Sequence, residues 1–196
     1  MEVITPHPDQ LIHIRTILGV VMGLSLARLL SGLARFVQHP GRERIYLVHL
    51  GWVIFLFSAV VHFWWFQFGL HNVSQWTFEF YLFLICYAAL FFFVCTLLFP
   101  DRLDEYFSFD DYFHSRQKWF YGLLAGLSAV DVVDTLWKGM AHFHELGPVY
   151  PIRQSLMLVF CLIAMFVQNR RFHQIFVTVV LVAQFIWIVR YYQFLA

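Results

Sequence analysis

Six apolar runs recur along the chain, each bounded by polar or turn-forming residues. The first extends from about Ile14 to Val37 and the second from about Tyr46 to Leu70. The third extends from about Trp76 to Phe99, where Pro100 and Asp101 stop it. The fourth, about Trp119 to Trp137, is the least apolar; the fifth, about Ile152 to Val167, is the shortest; the sixth extends from about His173 to Leu195. About 20 mostly apolar residues carry a helix across the hydrocarbon core of a bilayer. None of the runs shows the strict alternation of a membrane strand. The pattern predicts an all-α fold: a polytopic transmembrane bundle of six helices, forming a single transmembrane domain over residues 1–196.

The connections are short, with one exception. Gln38 to Arg44 holds a Pro-Gly turn, and His71 to Gln75 is a tight link. Asp101 to Lys118 is longer and acidic, and its Tyr106, Phe107, Phe109, Tyr112 and Phe113 are expected at the membrane interface. Lys and Arg favour the cytoplasmic ends of membrane helices. Arg35, Arg42, Arg44, Arg102, Arg116, Lys118, Arg170 and Arg171 fall on one side, against Arg15, Lys138, Arg153 and Arg190 on the other. That bias places both termini outside the cytoplasm. The opening MEVITPHPDQ lacks the pattern of a cleaved signal peptide, so the first helix is expected to direct insertion.

Composition sharpens this picture. Only 13% of residues are charged and 61% are hydrophobic, whereas soluble domains carry roughly 25% charged residues. The surplus apolar surface requires lipid as its solvent, so the bilayer is the first partner expected. A second copy or a subunit of a membrane complex is the next. A net charge of +1 offers nothing to nucleic acid. Cys86, Cys95 and Cys161 lie inside apolar runs without close spacing and read as small hydrophobes. No cofactor is expected.

One segment matches another. Gly19-Val-Val-Met-Gly23-Leu24-Ser25 in the first run corresponds to Gly122-Leu-Leu-Ala-Gly126-Leu127-Ser128 in the fourth, and Arg28 falls opposite Asp131. A constant offset of this kind predicts two inverted three-helix halves, residues 10–99 and 114–195, as recur in transporters. The alternative is the ordinary use of small-xxx-small spacing for close helix packing. Either way Gly19, Gly23, Gly122 and Gly126 are the expected packing sites.

Ionisable residues at bilayer depth cost about 2.5–3.5 kcal/mol on insertion scales and therefore face protein or water. Arg28 is one; Asp131 and Asp134, spaced i, i+3 on one face, are two more. With Ser25 and Ser128 they form the candidate polar core. An Arg28–Asp131 pair would line an ion or proton path, although antiparallel helices separate the two Cα atoms by about 8–9 Å in depth. The alternatives are a structural clamp, or an Arg28 side chain that snorkels to the basic side. Gln184, in the middle of the sixth run, is expected to bond a neighbouring helix.

His49 and His62 near the two ends of the second run bring haem ligation to mind, but thirteen steps of 100° set them about 140° apart around the helix. His142 and His144 in a connection form a weak metal pair that lacks a third ligand. No HExxH, GxSxG, CxxC or phosphate-binding glycine loop occurs, so catalysis is the less expected class.

GLSLARLLSGLARF, HLGWVIFLFSAVVHFWWFQF and the helix ending LLFPD together resemble a family of small six-helix bacterial inner-membrane proteins. The resemblance implies that location and helix count, and it implies no activity. Lysosomal-type potassium channels of similar size carry Phe-Ser-Asp in their first helix. Here Phe107-Ser108-Phe109-Asp110 lies in a connection, and that function is not carried over. Three functions follow as expectations: an oligomeric ion or proton channel or transporter built on the Arg/Asp core, a non-conducting accessory subunit, and a haem protein.

Overall fold

A computed structural model describes residues 8–38, 46–73, 76–100, 106 and 108–192. Among the described residues there are no strands, and seven α-helices follow one another: α1 (Pro8–Gln38), α2 (Leu47–Phe66), α3 (Phe78–Leu98), α4 (Phe109–Trp137), α5 (Met140–Glu145), α6 (Val149–Ala164) and α7 (Arg170–Tyr192). A 3-10 turn, Gln67–Asn72, extends α2. Five helices, α1, α2, α3, α4 and α7, are long and apolar enough to cross a membrane. The 16 residues of α6 reach about 24 Å, short of the ~30 Å hydrocarbon core.

The main departure from expectation is α4. It starts ten residues before Trp119, inside the predicted acidic connection. Ser108 caps it by accepting the Asp111 N–H at 3.3 Å, and Asp110 and Asp111 in the first turn complement the helix dipole. Phe109, Tyr112, Phe113, Gln117, Phe120 and Tyr121 share its buried stripe. Phe109, Tyr112 and Phe113 therefore belong to the core rather than the interface. The Pro-Gly turn with Arg42 and Arg44, and Asp101, Arg102, Asp104, Glu105 and Phe107, lie outside the described residues.

Contacts fix the direction of each helix. Arg170 pairs with Asp110 at 2.5 Å, and the Tyr121 hydroxyl lies 2.8 Å from His173 Nδ1, so α7 begins beside the start of α4. α6 begins beside Asp131, where Tyr150 and Gln154 reach the carboxylate. It ends beside Gln117, whose amide donates to the Ala164 and Val167 carbonyls at 2.6 and 2.7 Å. α6 thus runs antiparallel to α4 over most of its length.

Trp52 on α2 is the hub of the core. Phe55, Phe120, Tyr121 and Phe176 meet its ring edge-on with centroids 5.4–5.7 Å away. α1 packs on α2 and α3, whereas α4 packs chiefly on α6 and α3. In the register of the sequence repeat, α1 on α3 would correspond to α4 on α7. Those two helices meet through long side chains, such as Tyr121 with His173 and Asp110 with Arg170, rather than by close backbone approach, and this arrangement does not establish the repeat.

The expected packing glycines are also not the close ones. A Cβ built at Gly19, Gly122 or Gly126 meets its nearest neighbour at 3.5, 3.6 and 3.8 Å, and at Gly23 it meets nothing within 4 Å. The tight approaches are elsewhere. At Gly32 a Cβ would lie 2.2 Å from the Phe99 ring, and at Gly51 it would lie 2.7 Å from Val177.

Candidate functional site

Arg28 does not form the predicted centre with Asp131. Its Nη2 donates to the Phe99 carbonyl at 2.8 Å, whereas the Asp131 carboxylate is met by Tyr87, Tyr150 and Gln154. The last carbonyls of a helix have no intrahelical donors, and leaving such groups bare in hydrocarbon costs several kcal/mol each. The end of α3 meets this need with side chains from three other helices. Tyr112 donates to Leu97 O at 2.8 Å, His49 to Leu98 O at 2.6 Å, Arg28 to Phe99 O and Arg35 to Pro100 O at 2.9 Å. Arg28 and His49 are therefore caps. His49 Nε2 bonds the Leu98 carbonyl, and thirteen residues of helix set it about 20 Å along α2 from His62. Ser25 bonds back to the Val21 carbonyl within α1.

Asp131 anchors a different cluster. Its Oδ1 accepts the Tyr87 hydroxyl of α3 at 2.8 Å. Its Oδ2 accepts the Tyr150 hydroxyl of α6 at 2.8 Å and the Gln154 amide. Thr135 lies 2.7 Å from the Tyr150 oxygen and donates to the Asp131 backbone carbonyl at 2.9 Å. One carboxylate thus joins α3, α4 and α6. Three donors occupy most of its acceptor capacity, so it behaves as a fixed polar hub.

Arg153, one turn from Tyr150 on α6, extends the cluster to α7. Its guanidinium donates to Gln184 Oε1 and stacks over the Trp187 ring at 5.3 Å from the centroid. Gln184 therefore bonds a neighbouring helix, as expected from its position. Asp134 turns aside and pairs with Lys138 at 2.6 Å, with side chains only 7% and 2% exposed. Lys138 bonds Asp134 Oδ2, while Asp134 Oδ1 is buried without a hydrogen-bond partner among the described residues and Asp134 also lines the cavity.

The cluster faces a cavity of about 650 Å³ between α2, α4, α6 and α7, open on the side where Ile152, Leu156, Ile175 and Val179 are exposed, with Tyr87 and Phe91 of α3 also lining it. α6 and α7 meet through long side chains, Arg153 with Gln184 and Trp187 and Phe160 with Phe176, rather than by close backbone approach, and the cavity lies between them. Its lining on α7 runs from Phe172 to Arg190, about 27 Å along the helix. His62, Asp131, Arg153, Gln154, Gln184 and Arg190 gather toward one end, whereas Phe160, Phe172, Phe176 and Val179 line the other. Ser128 lies on the wall. His62 Nε2 is buried with no hydrogen-bond partner among the described residues.

Among the described residues, no three His, Cys, Asp or Glu side chains gather as metal ligands. His142 and His144 lie on the short α5, where His142 faces Glu145 at 3.6 Å. The sequence reading found Asp131 but missed Arg153, Tyr150, Gln154 and Tyr87 as its neighbours. Tyr150 and Gln154 are spaced i, i+4 and share a face; that spacing was the available signal. No family model, curated protein or solved structure matches the chain.

Proposed function

We infer that this chain is a small integral membrane protein that binds an organic, largely apolar solute between α2, α4, α6 and α7 and carries it within the membrane. α6 completes a sixth crossing in this reading, since it starts beside Asp131 and ends beside Gln117. The observation that carries the reading is the cavity itself. Its size lies within the roughly 300–1,000 Å³ of small-molecule sites, which combine apolar walls with a few convergent polar groups.

The same geometry argues for a solute rather than a bare inorganic ion. Ion pathways present rings of carbonyls or unengaged charges. Here the Asp131 carboxylate is already met by Tyr87, Tyr150 and Gln154, and Arg28 stands at the end of α3. The site is therefore of transporter type.

Photolabelling with an uncharged, diazirine-tagged alkane tests the site. The protein in nanodiscs is expected to be labelled, saturably, on buried cavity-facing residues such as Phe63, Leu124 and Phe176. Ala183→Trp, which fills the cavity from α7, should suppress that labelling. Labelling spread evenly over lipid-facing residues, unchanged by Ala183→Trp, would overturn the reading and leave the accessory-subunit function ahead.

A further inference from the structure

We propose that the ligand of this cavity is a single-chain anionic amphiphile: a long-chain carboxylate whose head lies against Arg153 and Arg190 and whose tail runs toward Phe172. The proposal rests on the cavity being a ligand site, and it adds the ligand's chemistry and its orientation.

Charge supplies the first reason. Two arginines, Arg153 and Arg190, line the polar end. The carboxylates on the same wall are Asp131 and Asp134, and Lys138 already neutralises Asp134. Asp131 alone remains to balance two guanidinium groups, which leaves an excess of one positive charge. A guanidinium carries five N–H donors in a planar fork that suits a carboxylate, and the protein bond found for Arg153 uses one of them, to Gln184.

His62 supplies the second. Its Nε2 is buried at the cavity wall without a hydrogen-bond partner among the described residues. Buried polar atoms in native proteins are normally paired, so an orphan at a cavity wall marks a place where a ligand's polar group completes the bonding. Arg153, Arg190 and His62 come from three different helices, α6, α7 and α2, and converge on the same end.

Shape supplies the third. The cavity is long and polar at one end only. Its ~27 Å length along α7 exceeds the half of a ~30 Å hydrocarbon core that one leaflet occupies, so a full acyl chain fits lengthwise. Arg190 in the last turn of α7 puts the head near the membrane surface and the tail in the hydrocarbon. The lining residues Ile152, Ile175 and Val179 are exposed on the outer side of α6 and α7, which gives a lateral way in from the lipid. One chain fits between these two helices; a second would lie outside them.

The test is competitive photolabelling in nanodiscs of zwitterionic lipid. The probe is diazirine-tagged palmitate, and the competitors are palmitate and its uncharged methyl ester. Palmitate should compete at least about tenfold better than the ester. Arg153→Gln should remove that preference, Arg153→Lys should restore part of it, and Arg190→Gln should reduce it. Arg190 is exposed, so its substitution keeps the test open if Arg153→Gln fails to fold. Equal competition by acid and ester, or a preference that survives both glutamine variants, overturns the proposal. If the uncharged alkane still labels the cavity while palmitate shows no advantage, the site stands and the anionic ligand falls. A two-chain anionic phospholipid that outcompetes palmitate would also overturn the single-chain assignment.

Discussion

The Tyr87 hydroxyl donates to Asp131 Oδ1 across 2.8 Å, joining α3 to α4 at the wall of the cavity. Tyr87 is itself buried, so this bond has no water to replace it. Hydrogen bonds to charged groups contribute about 1.5–3 kcal/mol, and leaving a buried partner unmet costs a similar amount. Tyr87→Phe should therefore lower unfolding stability in micelles by about 2 kcal/mol. Loss of a few tenths only would show that Asp131 is solvated from the cavity.

Arg28 and Arg153 should separate cleanly. Arg28→Gln removes a donor from the buried end of α3, and chemical denaturation should register a loss of about 1.5–3 kcal/mol. Photolabelling of the cavity should not change. Arg153→Gln should act in the opposite sense, with weakened ligand competition and a smaller change in stability. An Arg28 variant that loses ligand binding while remaining folded would restore the predicted Arg28–Asp131 centre.

The glycines give a comparison with opposite signs. Gly51→Ala and Gly32→Ala push a methyl into Val177 and the Phe99 ring, and overpacking typically costs 1–3 kcal/mol. Gly126→Ala and Gly23→Ala find room within the protomer and should gain up to about 1 kcal/mol from helix propensity. Thermal unfolding of the four variants measures this. A destabilising Gly23→Ala that also changes the oligomeric state would mean that the exposed face of α1 packs against a second copy.

Asp134 and Lys138 form a buried i, i+4 pair at the end of α4. Removing one partner strands a charge and costs about 3–5 kcal/mol, whereas replacing both with apolar residues of similar volume is often neutral. Asp134→Leu should therefore be strongly destabilising, and the Asp134→Leu, Lys138→Met double variant should recover most of the loss. A double variant no better than the single one would give Lys138 another role.

What the sequence made legible follows the range of each interaction. Long apolar runs report local chemistry, so α2 and α3 were found close to their observed ends, whereas α1 starts six residues before the expected Ile14 and α7 three before His173. The start of α4 was missed because Phe109, Tyr112 and Phe113 were read as interfacial aromatics. Ser108, three residues before Asp111, together with apolar residues at 109, 112, 113 and 120, already spelled a capped amphipathic helix. Asp131 was identified by the cost of a charge at that depth. Its partners were not, because Tyr87 and Gln154 lie 44 and 23 residues away, and no periodicity encodes such contacts. The pairing with Arg28 came from a shared motif, whereas the carbonyls of Leu97 to Pro100 decide where Arg28 goes. Spacing alone cannot show backbone demand of that kind.

The most direct test of the central claim is passage across the bilayer. Liposomes carrying a fluorescently tagged single-chain anionic lipid report its transbilayer movement when a membrane-impermeant reductant bleaches the outer leaflet. With the wild-type protein, the inner-leaflet pool should become accessible faster than in protein-free liposomes, and Ala183→Trp should return the rate to the protein-free value. A wild-type rate equal to that of empty liposomes, or an Ala183→Trp rate equal to wild type, would contradict carriage through the cavity between α6 and α7.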